Sequence, residues 1–431
     1  MRKLLLATTA LVGGIVIATG TAHAQAMEGS NSAPITLNVG GYVDFAAGFY
    51  QESNGGNNAV AATAPGKTTR SGHDFETEYK LNFDAMGKAN NGIEYGANVS
   101  LWNGAEATTA TPFSGGSNGV TVNSAYVWMA GDFGKVLMGD VHGATDLFVY
   151  APTVGEGQID GRYMDFTDPT TLARFQPSGI DNTEHSTNVT FYTPKVGNDD
   201  NKVQLGITYE PNMYDYGQNA IKYGTTGSNA TGLQSVSPYQ DVVKGAAQYT
   251  GNFNPVNVVA SAQIINGYAS SAAVSGTSLG EDAPAVAGNG ERARDFTAWG
   301  VGTQVGYQGF TLGGSYTNMG RYMTVDGQNH NQEVWTLGGK YEMNKWAFAA
   351  NWLNGQGYDN MLENAQAGYA PSTNNTNFVS GFNAYGVGAA YTWFPGLTSN
   401  IDGIMFTQGD RSVPSNQNDG YVLLVSQKMT F

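Results

Sequence analysis

Three glycine-containing runs are the first candidates for ligand chemistry, because glycine-rich turns that open a helix bind phosphate groups. The run Pro65-Gly66-Lys67-Thr68 has the lysine and threonine of a phosphate-binding loop, but Ala61 stands where such a loop needs its first glycine. The runs Gly300-Val301-Gly302 and Gly386-Val387-Gly388 lack the third glycine of a dinucleotide-binding turn, and both lie in strand-like segments. None of the three predicts a nucleotide site.

Residues that could hold a metal ion or attack a substrate are scattered along the chain. The absence of cysteine excludes disulfides, thiolate metal sites and cysteine nucleophiles. The five histidines show no metal-ligand spacing. The pair Asp199-Asp200 lies in a turn and is expected to be solvated, with weak calcium binding as the alternative. The sequence therefore predicts no catalytic residue, no metal site and no cofactor.

The charge balance and the amino terminus predict an exported protein that does not bind nucleic acid. The formal net charge is −15, whereas nucleic-acid-binding domains carry a basic surface. Arg2 and Lys3 precede an apolar run, and Ala22-His23-Ala24 fits a signal-peptide cleavage site. We expect residues 1–24 to be a removable signal peptide and residues 25–431 to form a single domain.

Alternation of apolar and polar residues continues along most of the remaining chain. In one segment, Phe75, Tyr79 and Leu81 share a face, and Glu76 and Glu78 lie on the other. About sixteen such segments follow one another, joined alternately by short turns and long loops. Short turns at one end and long loops at the other are typical of a transmembrane β-barrel, and not of a soluble β-sandwich or propeller.

The carboxyl-terminal segment predicts a lipid-facing strand. Tyr421, Leu423 and Val425 begin an apolar face that ends at Phe431, with an aromatic residue at each end. A soluble strand with one buried face would explain the alternation, but not the terminal phenylalanine. That aromatic end resembles the recognition signal of bacterial outer-membrane barrels, so we expect Phe431 to serve barrel assembly by the cellular assembly machinery.

The chain after the signal peptide resembles the Gram-negative general porins over essentially its whole length. The segments that carry the likeness are Gly40-Gly41-Tyr42-Val43-Asp44, Ala125-Tyr126-Val127-Trp128, Gly131-Asp132-Phe133-Gly134-Lys135, Gly139-Asp140, Asn188-Val189-Thr190-Phe191-Tyr192-Thr193-Pro194 and Phe431. The resemblance implies an all-β, sixteen-stranded transmembrane antiparallel barrel that forms a homotrimer among the lipids of a Gram-negative outer membrane. It also implies that the loop after the fifth strand, here residues 141–185, folds into the lumen as a constriction.

Acidic residues of this loop are the expected selectivity charges. They are Asp146, Glu156, Asp160, Asp165 and Asp168. Glycines at positions 155, 157 and 161 permit a tight fold around Glu156 and Asp160. Carboxylates that face a basic wall would set a transverse field across a narrow aqueous slot. The alternative is a solvated acidic loop on the cell exterior, because long loops usually lie at the surface.

The basic wall departs from the family pattern. Porins often carry arginines on the inward faces of their first strands, whereas this chain has Asp44, Glu78 and Glu94 there. The basic candidates are Lys80, Arg162, Arg174, Arg321 and Lys428. Each of these can instead be a solvated lumen residue, and the two loop arginines can pair with the loop carboxylates. This charge pattern predicts cation preference.

The predicted function is a water-filled outer-membrane channel for passive diffusion of small hydrophilic solutes and ions. A substrate-specific channel of the same fold, for a sugar or another small polar solute, would carry an aromatic track or a dense one-sign cluster in its lumen. The seven tryptophans fall mostly on outward faces or at strand ends, such as Trp299, Trp335 and Trp393. A non-transport barrel such as an adhesin would need a site that the sequence does not offer.

Overall fold

The computed structural model describes residues 22–23, 35–53, 72–103, 121–167, 175–178, 186–213, 239–269, 294–322, 331–358, 378–410 and 418–431. Within these ranges, sixteen strands of six residues or more form one antiparallel β-barrel. They are β1 (Thr36–Glu52), β2 (His73–Lys88), β3 (Glu94–Trp102), β4 (Thr121–Gly131), β5 (Gly134–Asp140), β6 (Thr187–Tyr192), β7 (Asn201–Asn212), β8 (Tyr239–Phe253), β9 (Val256–Ala269), β10 (Phe296–Tyr307), β11 (Phe310–Gly320), β12 (Gln332–Met343), β13 (Trp346–Tyr358), β14 (Phe378–Phe394), β15 (Leu397–Asp410) and β16 (Asn418–Thr430). The predicted fold class and number of strands are confirmed.

Two shorter pairings accompany the sixteen strands. Ala22–His23 pairs with the start of β1, and Val196–Gly197 pairs with β7. The other residues of the expected signal peptide lie outside the described ranges, and its cleavage stays a prediction. In the described part of the chain, no helix is long and apolar enough to cross a membrane.

The barrel closes through its last strand. β16 pairs with β1, with Val425 opposite Ala47 and Met429 opposite Val43. The backbone of Phe431 exchanges two hydrogen bonds with Gly41, at 2.9 and 3.0 Å. A closed barrel has no free edge, so the backbone groups at membrane depth have partners.

The outer face is apolar, as the alternation predicts. Side chains of outward parity that are at least about two fifths exposed include Phe45, Val99, Val189, Trp299, Trp335 and Leu423. Trp299, Tyr316 and Trp335 pack against one another near the ends of the strands that carry the long connections, at centroid distances of 5.3 and 4.3 Å. Trp346 and Tyr391 pack at 4.6 Å beside the short turns. Two aromatic belts flanking an apolar band are the outer surface that a lipid bilayer requires.

The apolar core lies inside the barrel, near the ends of the strands that carry the long connections. Inward side chains of β8 to β16 are buried there against apolar residues of the segment that follows β5. The ring contacts are Tyr163 with Phe406 at 6.4 Å, Phe175 with Phe382 at 5.6 Å and Phe166 with Tyr50 at 6.3 Å. The predicted constriction loop is therefore inside the barrel in its described parts, and its alternative position on the cell exterior is wrong.

Hydrogen bonds fix this segment to successive strands of the inner wall. The segment contains three short 3-10 helices, Ala144–Leu147, Gln158–Asp160 and Arg162–Phe166. Its first half bonds to β7, β8, β9, β10 and β12 in turn. These bonds join Ala144 N to Thr208 Oγ1 (2.7 Å), Gln248 Nε2 to Leu147 O (2.8 Å), Val149 N to Ser261 Oγ (2.9 Å), Gln304 Nε2 to Tyr150 O (2.8 Å) and Ala151 N to Thr336 Oγ1 (3.1 Å).

A buried ion pair lies where the segment begins. Lys244 Nζ on β8 is 3.2 Å from Glu210 Oε2 on β7, and both side chains are fully buried. A side chain on Gly143 would contact Lys244 and Thr208, so the segment approaches this wall closely.

Candidate pore constriction

Strand register brings three charged side chains into one row of the inner wall. In the pairing of β16, β1 and β2, Lys428 lies opposite Asp44, and Asp44 lies opposite Glu78. These positions share the inward parity of Ala46, which is fully buried, whereas Phe45 faces outward and is 46% exposed. The alternation of the sequence therefore forces this row into the lumen.

Arg162 projects from the inward segment onto this row. Its Nη1 lies 3.1 Å from Asp44 Oδ2, its Nη2 lies 3.0 Å from Glu76 Oε2 and its Nε lies 3.5 Å from Glu78 Oε2. The arginine is only 7% exposed. Burial lowers the pKa of Arg162, but the surrounding carboxylates, Glu76 first, raise it above its ordinary value. The guanidinium therefore stays charged and holds the segment against β1 and β2.

Glu156 is the loop carboxylate that this arrangement brings to the same place. Its Oε2 lies 3.8 Å from Lys428 Nζ and 4.0 Å from Arg162 Nη1. Its Oε1 accepts hydrogen bonds from Asn400 Nδ2 at 3.1 Å and from Ser426 Oγ at 3.4 Å. Burial raises the pKa of Glu156 to about 8, against the opposing effect of Lys428. Glu156 is therefore mostly neutral at pH 7 and becomes anionic above pH 8.

Aromatic side chains border the charged row. Tyr42 OH and Trp102 Nε1 both donate to Glu78 Oε1, the latter at 2.8 Å. Lys428 Nζ lies 4.3 Å from the centre of the Tyr42 ring, within the range of a cation–π interaction. The hydrogen bonds fix both rings on the inner wall beside the charged row.

The partners of Arg162 differ from the expected ones. From the sequence, Asp44 and Glu78 were expected on the wall, and Arg162 was expected either among the basic wall residues or paired with carboxylates of its own loop. In the structure the loop supplies the arginine, and the wall supplies the carboxylates Asp44, Glu76 and Glu78. The physical reason is that inward carboxylates buried under a loop need a basic partner, and the loop brings Arg162 to them.

Other predicted loop residues lie away from this cluster. Asp146 is 3.2 Å from His142 Nδ1 and is about half exposed. Asp165 is exposed on the helix that carries Arg162. Asp160 is the last residue of the 3-10 helix Gln158–Asp160, and its side chain lies outside the part of the chain that the structure describes. Asp168 and Arg174 also lie outside it. Their roles stay predictions.

Three wall candidates occupy different positions. Lys80 lies opposite Tyr42 and Trp102 and is half-buried. Glu94 pairs with Lys88 at 3.0 Å beside the short turn between β2 and β3, away from the constriction. Arg321 follows the end of β11 and lines a groove with Tyr268 and Asn318. Tyr268 and Asn318 have the outward parity of Trp299 and Tyr316, and a role for Arg321 in the pore stays a prediction.

Sequence reasoning did not assign several residues of the site. Gln158, Asn351, Asn400, Asp402 and Ser426 form hydrogen bonds around the segment. Asp402 could have been noticed, because it is a charged residue at an inward position of β15. That strand has no other charged residue before its last position. The amides and the serine have no such signal. Among the described residues, no group of three or more acidic or histidine side chains is arranged to hold a metal ion.

A comparison with family models assigns this barrel to a family. The model described as Gram-negative porin matches residues 7–411. The chain belongs to the Gram-negative porin family. It is accordingly an outer-membrane protein, and family and fold together support a channel. No curated protein sequence matches the chain closely enough to count as a relative.

Solved porin structures share the fold at low sequence identity. A loop L8 deletion mutant of OmpT, an outer membrane protein of Vibrio cholerae, is 12% identical, with a TM-score of 0.52 over 92% of this chain and 99% of that chain. An anion-selective porin from Comamonas acidovorans is 11% identical, with a TM-score of 0.52 over 92% of this chain and 100% of that chain. At these identities the likeness establishes the fold alone.

Proposed function

We propose that this porin forms a water-filled, weakly cation-selective channel through which small hydrophilic solutes and ions diffuse passively. The observation that carries the proposal is the charge balance of the constriction. In the described part of the chain, the ion pairs of this cluster join the four carboxyl groups of Asp44, Glu76, Glu78 and Glu156 to the two bases Arg162 and Lys428. An excess of carboxylates attracts cations into a narrow aqueous path. Because Glu156 is mostly neutral at pH 7, this preference is weak there and grows above pH 8.

The sign of the selectivity depends on the charges of this chain and not on its fold. A porin of similar fold is described as anion-selective, so membership of the family is compatible with either sign. Passive diffusion needs no catalytic group, and the family supports a non-enzymatic channel. Sixteen strands are enough to enclose an aqueous path once side chains and an inward loop fill part of the interior.

Assembly is also part of the proposal. We expect a homotrimer in the outer membrane, as the resemblance to general porins implies. The apolar outer band and its aromatic belts support contact with lipids. The backbone hydrogen bonds of Phe431 to Gly41 support a role for the last strand in closing the barrel during assembly.

Reversal potentials across planar bilayers in a salt gradient test the proposal. At pH 9, where Glu156 is ionised, Glu156→Gln combined with Asp160→Asn should move the potential toward that of a non-selective pore. The shift should shrink as salt rises, because screening limits Coulomb attraction to about 8 Å at physiological ionic strength. Asp200→Asn, in an exposed turn, is the matched control. An unchanged potential at unchanged conductance would remove the loop carboxylates from the selectivity determinants.

A substrate-specific channel is the second candidate, because aromatic residues face the lumen on β1, β3 and β4. Tyr42 and Trp102 are fixed beside Glu78. Trp128 has inward parity between the exposed Val127 and Met129, and Lys135 Nζ lies 4.9 Å from the centre of its ring. A general porin should show no saturable block of conductance by sugars. A saturable block that is relieved in Trp128→Leu would favour the substrate-specific channel.

A further inference from the structure

Gln158 occupies a socket in the inner wall next to the constriction. It is 1% exposed, and its Nε2 donates to Asp402 Oδ1 at 2.5 Å. Its Oε1 accepts hydrogen bonds from Asn351 Nδ2 at 2.7 Å and from the backbone of Val154 at 3.1 Å. The side chain therefore links its own loop to β13 and β15.

Glycines of β14 make room for this side chain. A Cβ atom on Gly386 would overlap the Cβ of Gln158, and one on Gly388 would overlap both its Nε2 and Asp402 Oδ1. The register of the sheet places Gly386 opposite Asn351 and Gly388 opposite Asp402. The socket is thus the space above two glycines, and the polar side chains of Asn351 and Asp402 border it on either side. A longer residue at either glycine would displace Gln158.

The carboxylate of Asp402 also fixes the backbone at Glu156. Asp402 Oδ2 accepts the Glu156 backbone N–H at 3.1 Å. Gly155, immediately before it, has a φ of +66°, and a Cβ at this position would lie 2.5 Å from Asp402 Oδ2. The bend at Gly155 is therefore pressed against Asp402, and it points the Glu156 side chain toward β16.

We propose that Gln158 and Asp402 are positioning residues for ion selectivity, which hold Glu156 in its buried place beside Lys428 and thereby determine when it contributes charge to the constriction. This inference rests on the proposed cation-selective channel. Hydrogen bonds to a buried carboxylate are among the stronger ones in proteins. The hydrogen bonds that Gln158 and Asp402 form with each other and with the loop, which we call the lock, are therefore suited to keep Glu156 away from bulk water.

The groups that face Glu156 come from every element packed against it. β1 contributes Asp44 and Tyr42, β16 contributes Lys428 and Ser426, β15 contributes Asn400 and Asp402, and the loop itself contributes Arg162. If the lock opens, Glu156 gains water, and its pKa should fall from about 8 toward the ordinary value of about 4.3. A carboxyl with a raised pKa is neutral below that pKa, so cation selectivity should rise with pH through the same point.

The test is the pH profile of the reversal potential between pH 4 and pH 10. In the unmodified protein, cation selectivity should rise as pH passes about 8. Gln158→Met keeps the length and the neutral charge of the side chain but cannot form the hydrogen bonds, and it should move the rise to lower pH by at least about one unit. Glu156→Gln should show no such rise. Gly388→Ala, which displaces Gln158 without changing it, should act in the same direction as Gln158→Met.

Gly381→Ala is the matched control on the same strand. A Cβ at this glycine would meet no atom within 4 Å, so its profile should equal that of the unmodified protein. Barrel formation is checked for each variant by the shift in electrophoretic mobility on heating, and Asp402→Asn is the milder replacement if Gln158→Met does not fold. A folded Gln158→Met channel whose rise stays near pH 8 overturns the positioning role. An unmodified channel without cation preference at any pH overturns the proposed function instead.

Discussion

The guanidinium Nη1 of Arg162 lies 3.1 Å from Oδ2 of Asp44. The base belongs to the inward loop and the carboxylate to the first strand of the barrel. Both side chains are buried, so neither charge can be removed without leaving the other in a poorly solvated place. The contact therefore ties the position of the loop to the charge of the wall.

Replacing Arg162 by Gln should destabilise the barrel and strengthen its cation preference. The change leaves Asp44, Glu76 and Glu78 without their shared partner, at a cost of about 3–5 kcal/mol for an unpaired buried charge. Thermal unfolding in detergent and the reversal potential at pH 7 measure the two effects. Lys88→Gln, which removes an exposed pair with Glu94, should change stability by at most about 1 kcal/mol. A variant as stable and as selective as the parent would contradict the structural role of this arginine.

The buried pair of Lys244 and Glu210 should behave as a unit. Lys244→Met alone leaves a fully buried carboxylate beside an apolar side chain and should cost about 3–5 kcal/mol. Adding Glu210→Leu should recover much of that loss, because apolar replacements of a buried ion pair are often tolerated. Urea unfolding of the two single variants and the double variant gives the coupling free energy. Additive effects would mean that the two charges do not stabilise each other.

Leu423 tests the lipid-facing orientation of the last strand. It is exposed on the outer face in the middle of β16, so Leu423→Arg should destabilise the folded barrel by about 2–4 kcal/mol in lipid. Asp419→Arg has the same parity near the extracellular end of the strand and should cost about 0–1 kcal/mol. Folding equilibria in lipid vesicles provide the comparison. Equal costs at the two positions would argue against a membrane band centred on Leu423.

Phe431 tests the assembly signal. Phe431→Ser should reduce the amount of trimer in the outer membrane of cells more than it reduces the stability of the refolded protein, because the backbone bonds to Gly41 do not depend on the side chain. Met429→Ser, also exposed on the outer face of this strand, is the control. Normal trimer yield in cells after Phe431→Ser would exclude a role for this side chain in assembly.

The barrel could be predicted from sequence because the alternation of a strand depends only on neighbouring residues. Asp44 and Phe45 already indicate the inner and outer faces of β1, and the structure keeps both assignments. The inward course of the loop had no such local signal and came from family resemblance. The contacts between the loop and the wall could not be predicted, because the alternation shows which face of the strand a residue lies on but not which loop residue reaches it.

The same limit explains why the partners of Arg162 were not predicted. Asp44, Glu76 and Glu78 could be recognised as inward carboxylates, and a buried group of that kind requires a base. Arg162 was noted only as a possible partner for carboxylates of its own loop. The Gln158 socket could be predicted even less, because Gly386 and Gly388 contribute to it only by leaving space for the glutamine. Their meaning becomes visible only when a distant glutamine lies against them.

The attachment of the loop to opposite parts of the barrel has a mechanical consequence. Its first half is bonded to β7, β8, β9, β10 and β12, and Arg162 reaches β1 and β2. The loop therefore acts as an internal strut. A change in the distance between these two parts of the wall would have to break its hydrogen bonds at one end or the ion pairs of Arg162 at the other.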